Sequence, residues 1–198
     1  MIDYEKTKAW RSDPVRHTYT ERDTILYALG VGFAADPLVL EELRFVYEKE
    51  LQAVPTMAAV LASPGFWMRD RKELGIDYLK LVHGEQGVTI HSPLPAAGTL
   101  IGQSRVTRIV DKGEGKGAIM VTERRLETAA GELLATVQQV TFLRGDGGYS
   151  QQGGGHHVAR VAGVGARGDG GDNHCAVGHF AVGRGFVRRG QAFGGQIG

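Results

Sequence analysis

The chain has 198 residues, 42% of them hydrophobic and 23% charged, with a formal net charge of +1. This is enough for one domain with a real core, and the charge is too balanced for a nucleic-acid or membrane-surface partner. No apolar run reaches the ~18 residues of a spanning helix, and the single cysteine, Cys175, rules out an internal disulfide and points to a reducing compartment, cytoplasmic by default.

Near the start, Thr20-Glu21-Arg22-Asp23 precedes Ile25, Leu26 and Leu29, and glycines follow at 30 and 32. A hydroxyl cap, acidic residues in the first turn and terminal glycines predict a helix of about three turns. Asp36-Pro37 marks a turn, and Leu43-Arg44-Phe45-Val46-Tyr47 reads as a strand. A helix-like run opens at Pro55-Thr56, continues through Met57, Val60 and Leu61, and closes at Ser63-Pro64-Gly65. Residues 69–78 are polar and read as helical.

From Leu81 to Leu100 the sequence LVHGEQGVTIHSPLPAAGTL alternates apolar and polar residues, breaks at Pro93-Leu94-Pro95 and turns at Gly98. It predicts a strand with a polar tetrapeptide at its mouth. Three further strands are predicted over 99–110, 117–127 and 133–143, with Gly131 in the turn between the last two. Helices early and antiparallel strands late argue for an α+β domain with a helix packed on one curved sheet.

The composition breaks after residue 144. Positions 145–198 hold 18 of the 30 glycines and no Leu, Lys, Glu or Pro. Such a segment has little apolar surface to bury against its backbone entropy. It reads either as a flexible Gly-rich extension or as out-of-frame translation of a GC-rich gene. The abrupt change favours the second reading, and neither supports a folded second domain. The Gly171-Asp172-Asn173-His174-Cys175 cluster, with His156, His157 and His179, is discounted because its context offers no rigid support. The N-terminus shows no basic region followed by a hydrophobic stretch, and Gln196-Ile197-Gly198 is not a peroxisomal tripeptide.

Three constellations could carry chemistry. His83-Gly84-Glu85-Gln86 combines hydrogen-bonding side chains with a glycine that lets a ligand near the backbone. A polar strand entry with a satisfied histidine explains the same residues. Asp111-Lys112-Gly113-Glu114-Gly115-Lys116-Gly117 offers two lysines among glycines, a combination suited to a phosphate, or simply a solvated hairpin loop. Arg144-Gly145-Asp146-Gly147-Gly148-Tyr149 follows the last strand as a sheet exit. No metal-ligand spacing, paired carboxylates or Ser/His/Asp order stands out in residues 1–144.

In order and spacing, several of these segments resemble the N-terminal half of the (3R)-specific 2-enoyl-CoA hydratases, the type 2, MaoC-like hydratases. The matching residues are Glu21-Arg22-Asp23 with Leu26-Tyr27-Ala28-Leu29-Gly30-Val31-Gly32, Phe45-Val46-Tyr47-Glu48, Val54-Pro55-Thr56, His83-Gly84-Glu85-Gln86, Pro93-Leu94-Pro95, Asp111-Lys112-Gly113, and Arg144-Gly145 with Gly147-Gly148. The resemblance covers roughly residues 15–150. It implies a hotdog fold, an antiparallel sheet wrapped on a helix, over residues 1–150.

In that family a double hotdog hydrates trans-2-enoyl-CoA, and the C-terminal hotdog carries the catalytic Asp and His in a Gly-Asp-x-Asn-Pro-x-His pattern. The resemblance implies that this chain is the acyl-CoA-binding half, without catalytic residues of its own. His83 and Gly84 would lie along the thioester arm and Lys112 would reach a CoA phosphate. Glu85, Gln86, Arg144 and Gly145 would support them. Coenzyme A enters as the substrate's thioester, and no further cofactor is implied. The expected partners are an acyl-CoA and either a second copy or another hotdog domain, with no nucleic acid and no membrane. The chain departs from the family where Asp146 intrudes and where Tyr149-Ser150-Gln151-Gln152 replaces the usual Gly-rich ending. An alternative is a non-catalytic subunit completing its site with a separately encoded catalytic hotdog. A thioesterase-like hotdog ranks lower, because the run from Thr56 to Ser63 holds no Asp or Glu.

Overall fold

In the computed structural model, residues 2–36 and 38–151 are described. The expectations for the tail, including the cluster at 171–179, lie outside these residues.

The core element is a five-stranded antiparallel sheet. Its strands are β1 (Val15–Tyr19), β2 (Leu81–Ile90), β3 (Gly98–Asp111), β4 (Ala118–Thr128) and β5 (Leu133–Leu143), in the order β1-β3-β4-β5-β2. The last three follow the predicted runs closely, because their alternation is strong. Met120, Leu126, Ala135, Val137 and Leu143 all face inward and are buried. Gly131, at φ +86°, closes the β4–β5 turn, where Leu126 stands opposite Ala135. Bulges interrupt the register between Val106 and Arg108 and between His83 and Glu85.

Two α-helices precede the sheet's long strands. Helix α1 (Tyr4–Ala9) is capped by Asp3 and was not anticipated, nor was the edge strand β1. Helix α2 (Glu21–Gly30) begins as predicted. The Thr20 hydroxyl accepts from the Asp23 amide, and the Asp23 carboxylate accepts from the Thr20 amide, a reciprocal capping box. Helix α2 is tied to the 93–97 loop where the Thr24 hydroxyl donates to the Ala96 carbonyl at 2.6 Å.

The stretch from 40 to 80 differs from expectation. Leu43–Tyr47 is not a strand. A 3-10 helix spans Leu40–Phe45, and the amides of Val46 and Tyr47 bond back to the Leu43 carbonyl. The run has strand-forming residues but pairs with neither edge of the sheet. Only Phe45 is buried, against Ala28 and Val54, while Leu40 and Leu43 stay exposed. The run opened by Pro55 is a 3-10 helix, Pro55–Ala59, shorter than the predicted helix. Residues 69–78 form short 3-10 turns around Trp67–Arg69 and Lys72–Leu74.

Two apolar clusters cover the inner face of the sheet. One packs Met57, Ala58, Leu61 and Ala62 onto Val88, Leu100, Leu126 and Val137. The approach is close: a Cβ placed on Gly102 would lie 2.3 Å from the Ala62 carbonyl oxygen. The other gathers Trp10, Met68, Leu74 and Ile76 over Val106, Ile109, Met120 and Leu143. Each fully buried leucine contributes roughly 2 kcal/mol of apolar burial. Among the described residues no helix is long and apolar enough to cross a membrane.

Candidate functional site

Between the two clusters the inner face of the sheet turns polar. Ser104 on β3, Thr122 and Arg124 on β4, Gln139 and Thr141 on β5, and His83 on β2 share a cavity of about 310 Å³. Its cover is the chain from Ser63 to Met68, with Tyr78 and Leu81 at one side. The cavity exists because the 3-10 helix over the sheet is short. The chain leaves it through Ala62, at φ +48°, and Gly65, at φ +68°, and so the middle of the sheet is not packed by a long helix. Phe66, Trp67 and Met68 give the cavity an apolar roof over a polar floor.

Arg124 is the most unusual group on that floor. It is only 9% exposed. One terminal nitrogen, Nη2, donates to the carbonyls of Ala58 at 3.2 Å and Ala59 at 2.6 Å, which caps the end of the 3-10 helix. Its Nε is buried and has no hydrogen-bond partner. Its neighbours in sequence are engaged elsewhere, Glu123 with Arg105 and Glu127 with Arg125. Burial pushes the guanidinium down to about 10. No carboxylate lines the cavity among the described residues.

Of the residues singled out in the sequence, His83 lines the cavity at the open β2 edge. Gly84 sits in the bulge, where an added Cβ would stand 3.3 Å from the Val140 carbonyl oxygen, so its missing side chain faces β5. Gln86 donates its side-chain amide to the Gln138 carbonyl at 2.9 Å, and Glu85 is exposed. Lys112 is exposed and does not line the cavity. Arg144 is exposed, its amide donating to the Lys80 carbonyl, and Gly145 packs beside the Asp77 side chain.

The structure joins the second and third constellations through Asp111. Its carboxylate accepts from the amides of Gly113, Gly148 and Ser150 at 2.8, 2.7 and 2.8 Å, and from the Ser150 hydroxyl at 2.6 Å. Burial alone would raise this carboxyl, but the hydrogen bonds from Ser150, Gly148 and Gly113 outweigh it and hold the group below its ordinary value. Gly147 passes so close that a Cβ there would lie 2.2 Å from the Gly113 carbonyl oxygen. Asp146 is buried and accepts from the Asp77 amide at 3.2 Å, and burial pushes its carboxyl up. The residue that departs from the family pattern is thus an anchor for the 76–78 turn.

Arg124, Ser104, Thr122, Gln139 and Thr141 escaped the sequence reading. A signal was present: Ala118, Met120, Thr122, Arg124 and Leu126 alternate on one face, and apolar neighbours on that face imply burial of the arginine. Among the described residues no group of three or more His, Cys, Asp and Glu side chains could hold a metal ion.

Comparison with known proteins gives a consistent result. The family described as MFE-2 hydratase 2 N-terminal domain matches residues 17–145. The 3-hydroxyacyl-thioester dehydratase Y of Mycobacterium tuberculosis is 38% identical over 143 residues, which are 70% of this chain and 47% of that protein. The peroxisomal enoyl-CoA hydratase 2 of Arabidopsis thaliana is 37% identical over 150 residues, 68% of this chain and 45% of that one. A MaoC-like dehydratase from Phytophthora capsici has a similar structure, with a TM-score of 0.56 at 26% identity, over 75% of this chain and 51% of its own. The chain spans about half the length of the curated relatives it matches.

Proposed function

Because the chain belongs to the MFE-2 hydratase 2 N-terminal domain family, we propose that it is the acyl-CoA-binding half of a (3R)-2-enoyl-CoA hydratase in fatty-acid β-oxidation-type metabolism. The observation that carries this reading is a cavity with an apolar roof and a polar floor but no carboxylate among its lining residues. Such a site can hold an acyl chain. It lacks the acid–base pair needed to add water across a conjugated double bond. The hydration step is assigned to a second hotdog carrying the Asp and His, with hydrogen-bond donors stabilising the thioester enolate.

In this reading His83, at the cavity's edge, meets the thioester arm beside Gly84. Lys112 meets a CoA phosphate from the exposed β3–β4 loop, and Glu85, Gln86, Arg144 and Gly145 support the two ends. The second hotdog docks along β2, whose outer edge is unpaired and carries exposed Val82. That partner is another domain, a separately encoded catalytic subunit or a second copy of this chain. The setting is the cytoplasm, on the support of the lone cysteine. The tail composition supports an out-of-frame origin for residues 151–198.

The test is a hydration assay of the purified chain with a long-chain trans-2-enoyl-CoA. The expected result is thioester binding without turnover, and turnover well above background would sink the reading. Lys112→Ala is expected to weaken CoA-ester binding and make it less salt-sensitive, and an unchanged affinity removes Lys112 from the site. Reading the coding DNA from codon 140 in all three forward frames tests the origin of the tail. A Gly-Asp-x-Asn-Pro-x-His segment in another frame makes the tail a frame artefact, and its absence from every frame leaves a single hotdog whose catalytic pair comes from a partner.

A further inference from the structure

The floor of the cavity is polar in a way that an ordinary fatty acyl chain does not require. A saturated chain needs methylene-sized apolar walls, which Phe66, Trp67 and Met68 supply. Under them lies a buried guanidinium, Arg124, which belongs to no ion pair among the described residues. An isolated buried charge is strongly unfavourable unless something compensates it.

Capping the Ala58 and Ala59 carbonyls does not explain the charge. A neutral amide donor would serve two backbone acceptors as well, without the cost of desolvating a cation. The guanidinium also keeps one donor, Nε, buried and unpartnered. Hydroxyl and amide side chains of Ser104, Thr122 and Gln139 share the floor with it. A buried cation that lines the cavity beside neutral hydrogen-bonding groups, with no carboxylate there among the described residues, is an incomplete anion site.

We infer that the cavity selects acyl chains bearing a carboxylate at the end remote from the thioester, with Arg124 as its counter-ion. This deepens the acyl-CoA reading and rests on it. The thioester end lies toward His83 on the exposed β2 edge. The chain crosses beneath the roof, and its far end meets Arg124 on β4, two strands inward, about 10 Å across the sheet, and four residues along the strand from Met120, which is in register with His83 through Thr141.

The test is isothermal titration calorimetry on the whole chain with two ten-carbon thioesters, decanoyl-CoA and the half-thioester decanedioyl-CoA. The native chain is expected to bind the carboxylate-bearing thioester roughly tenfold or more tightly. That preference should fall to near unity in Arg124→Gln and survive largely in Arg124→Lys, with melting curves confirming that each variant folds. Equal affinities in the native chain overturn the inference and leave the acyl-CoA reading standing. So does a preference that persists in a folded Arg124→Gln variant. If the variants do not fold, the native comparison decides by itself. If neither thioester binds but free decanedioate does, in an Arg124-dependent way, the carboxylate site stands and the acyl-CoA reading falls. If none of the three binds, both fall.

Discussion

Asp111 and Arg124 are both buried, both on inward-facing positions of neighbouring strands, and they are treated oppositely by their surroundings. Asp111 accepts hydrogen bonds from three backbone amides and a hydroxyl, which together clamp the 145–150 segment over the β3–β4 loop. Arg124 caps two carbonyls yet keeps an idle Nε and belongs to no ion pair among the described residues. A buried polar group whose bonds are complete holds a fold together. One whose bonds are incomplete adds little to the fold and is free to answer to a ligand.

That contrast can be broken by mutation. Asp111→Ala leaves three amides without their acceptor, and urea unfolding is expected to show a loss of about 3 kcal/mol. Arg124→Met removes an uncompensated charge along with two caps. These effects oppose each other, and the expected change in the same measurement is below about 1.5 kcal/mol. A loss for Arg124→Met as large as that for Asp111→Ala would mean that both groups are structural.

The smallest effect is one of pH. The carboxyl of Asp111 is held below its unfolded value near ~3.9, so its stabilisation is complete above that value and is lost as pH falls through the depressed one. Asp146 is raised by burial, so it favours the fold while protonated and weakens it as pH rises through its elevated value. Melting curves should therefore show Asp111→Asn losing part of the native chain's acid sensitivity, and Asp146→Asn losing part of its sensitivity at higher pH.

The sheet was legible where burial enforces alternation. The bounds of β5 agree with the predicted run, because Leu133–Leu143 carries its apolar residues on one face and meets a glycine turn. The 43–47 segment was misread because its residues suit a strand, while strand formation also needs a partner edge that no local pattern reveals. Strand β1 is short, and only Tyr19 of its five residues is buried, so its period is weak. For the site, His83 stands out in the sequence because it opens a polar tetrapeptide with a glycine at the strand mouth, and it lines the cavity. Arg124 was passed over because charged residues between strand-forming ones usually point to solvent. Lys112, attractive by composition, is exposed and lies off the cavity.

The roof of the cavity carries one more consequence. The chain has two tryptophans, and they are Trp10 and Trp67, stacked with ring centroids 3.6 Å apart and planes within 12°. Trp67 lines the cavity, while Trp10 sits in the apolar cluster behind it. All intrinsic indole emission therefore arises from one coupled pair whose outer ring touches the space a ligand would occupy. Near-ultraviolet circular dichroism of that pair is a label-free gauge of occupancy already built into the wall.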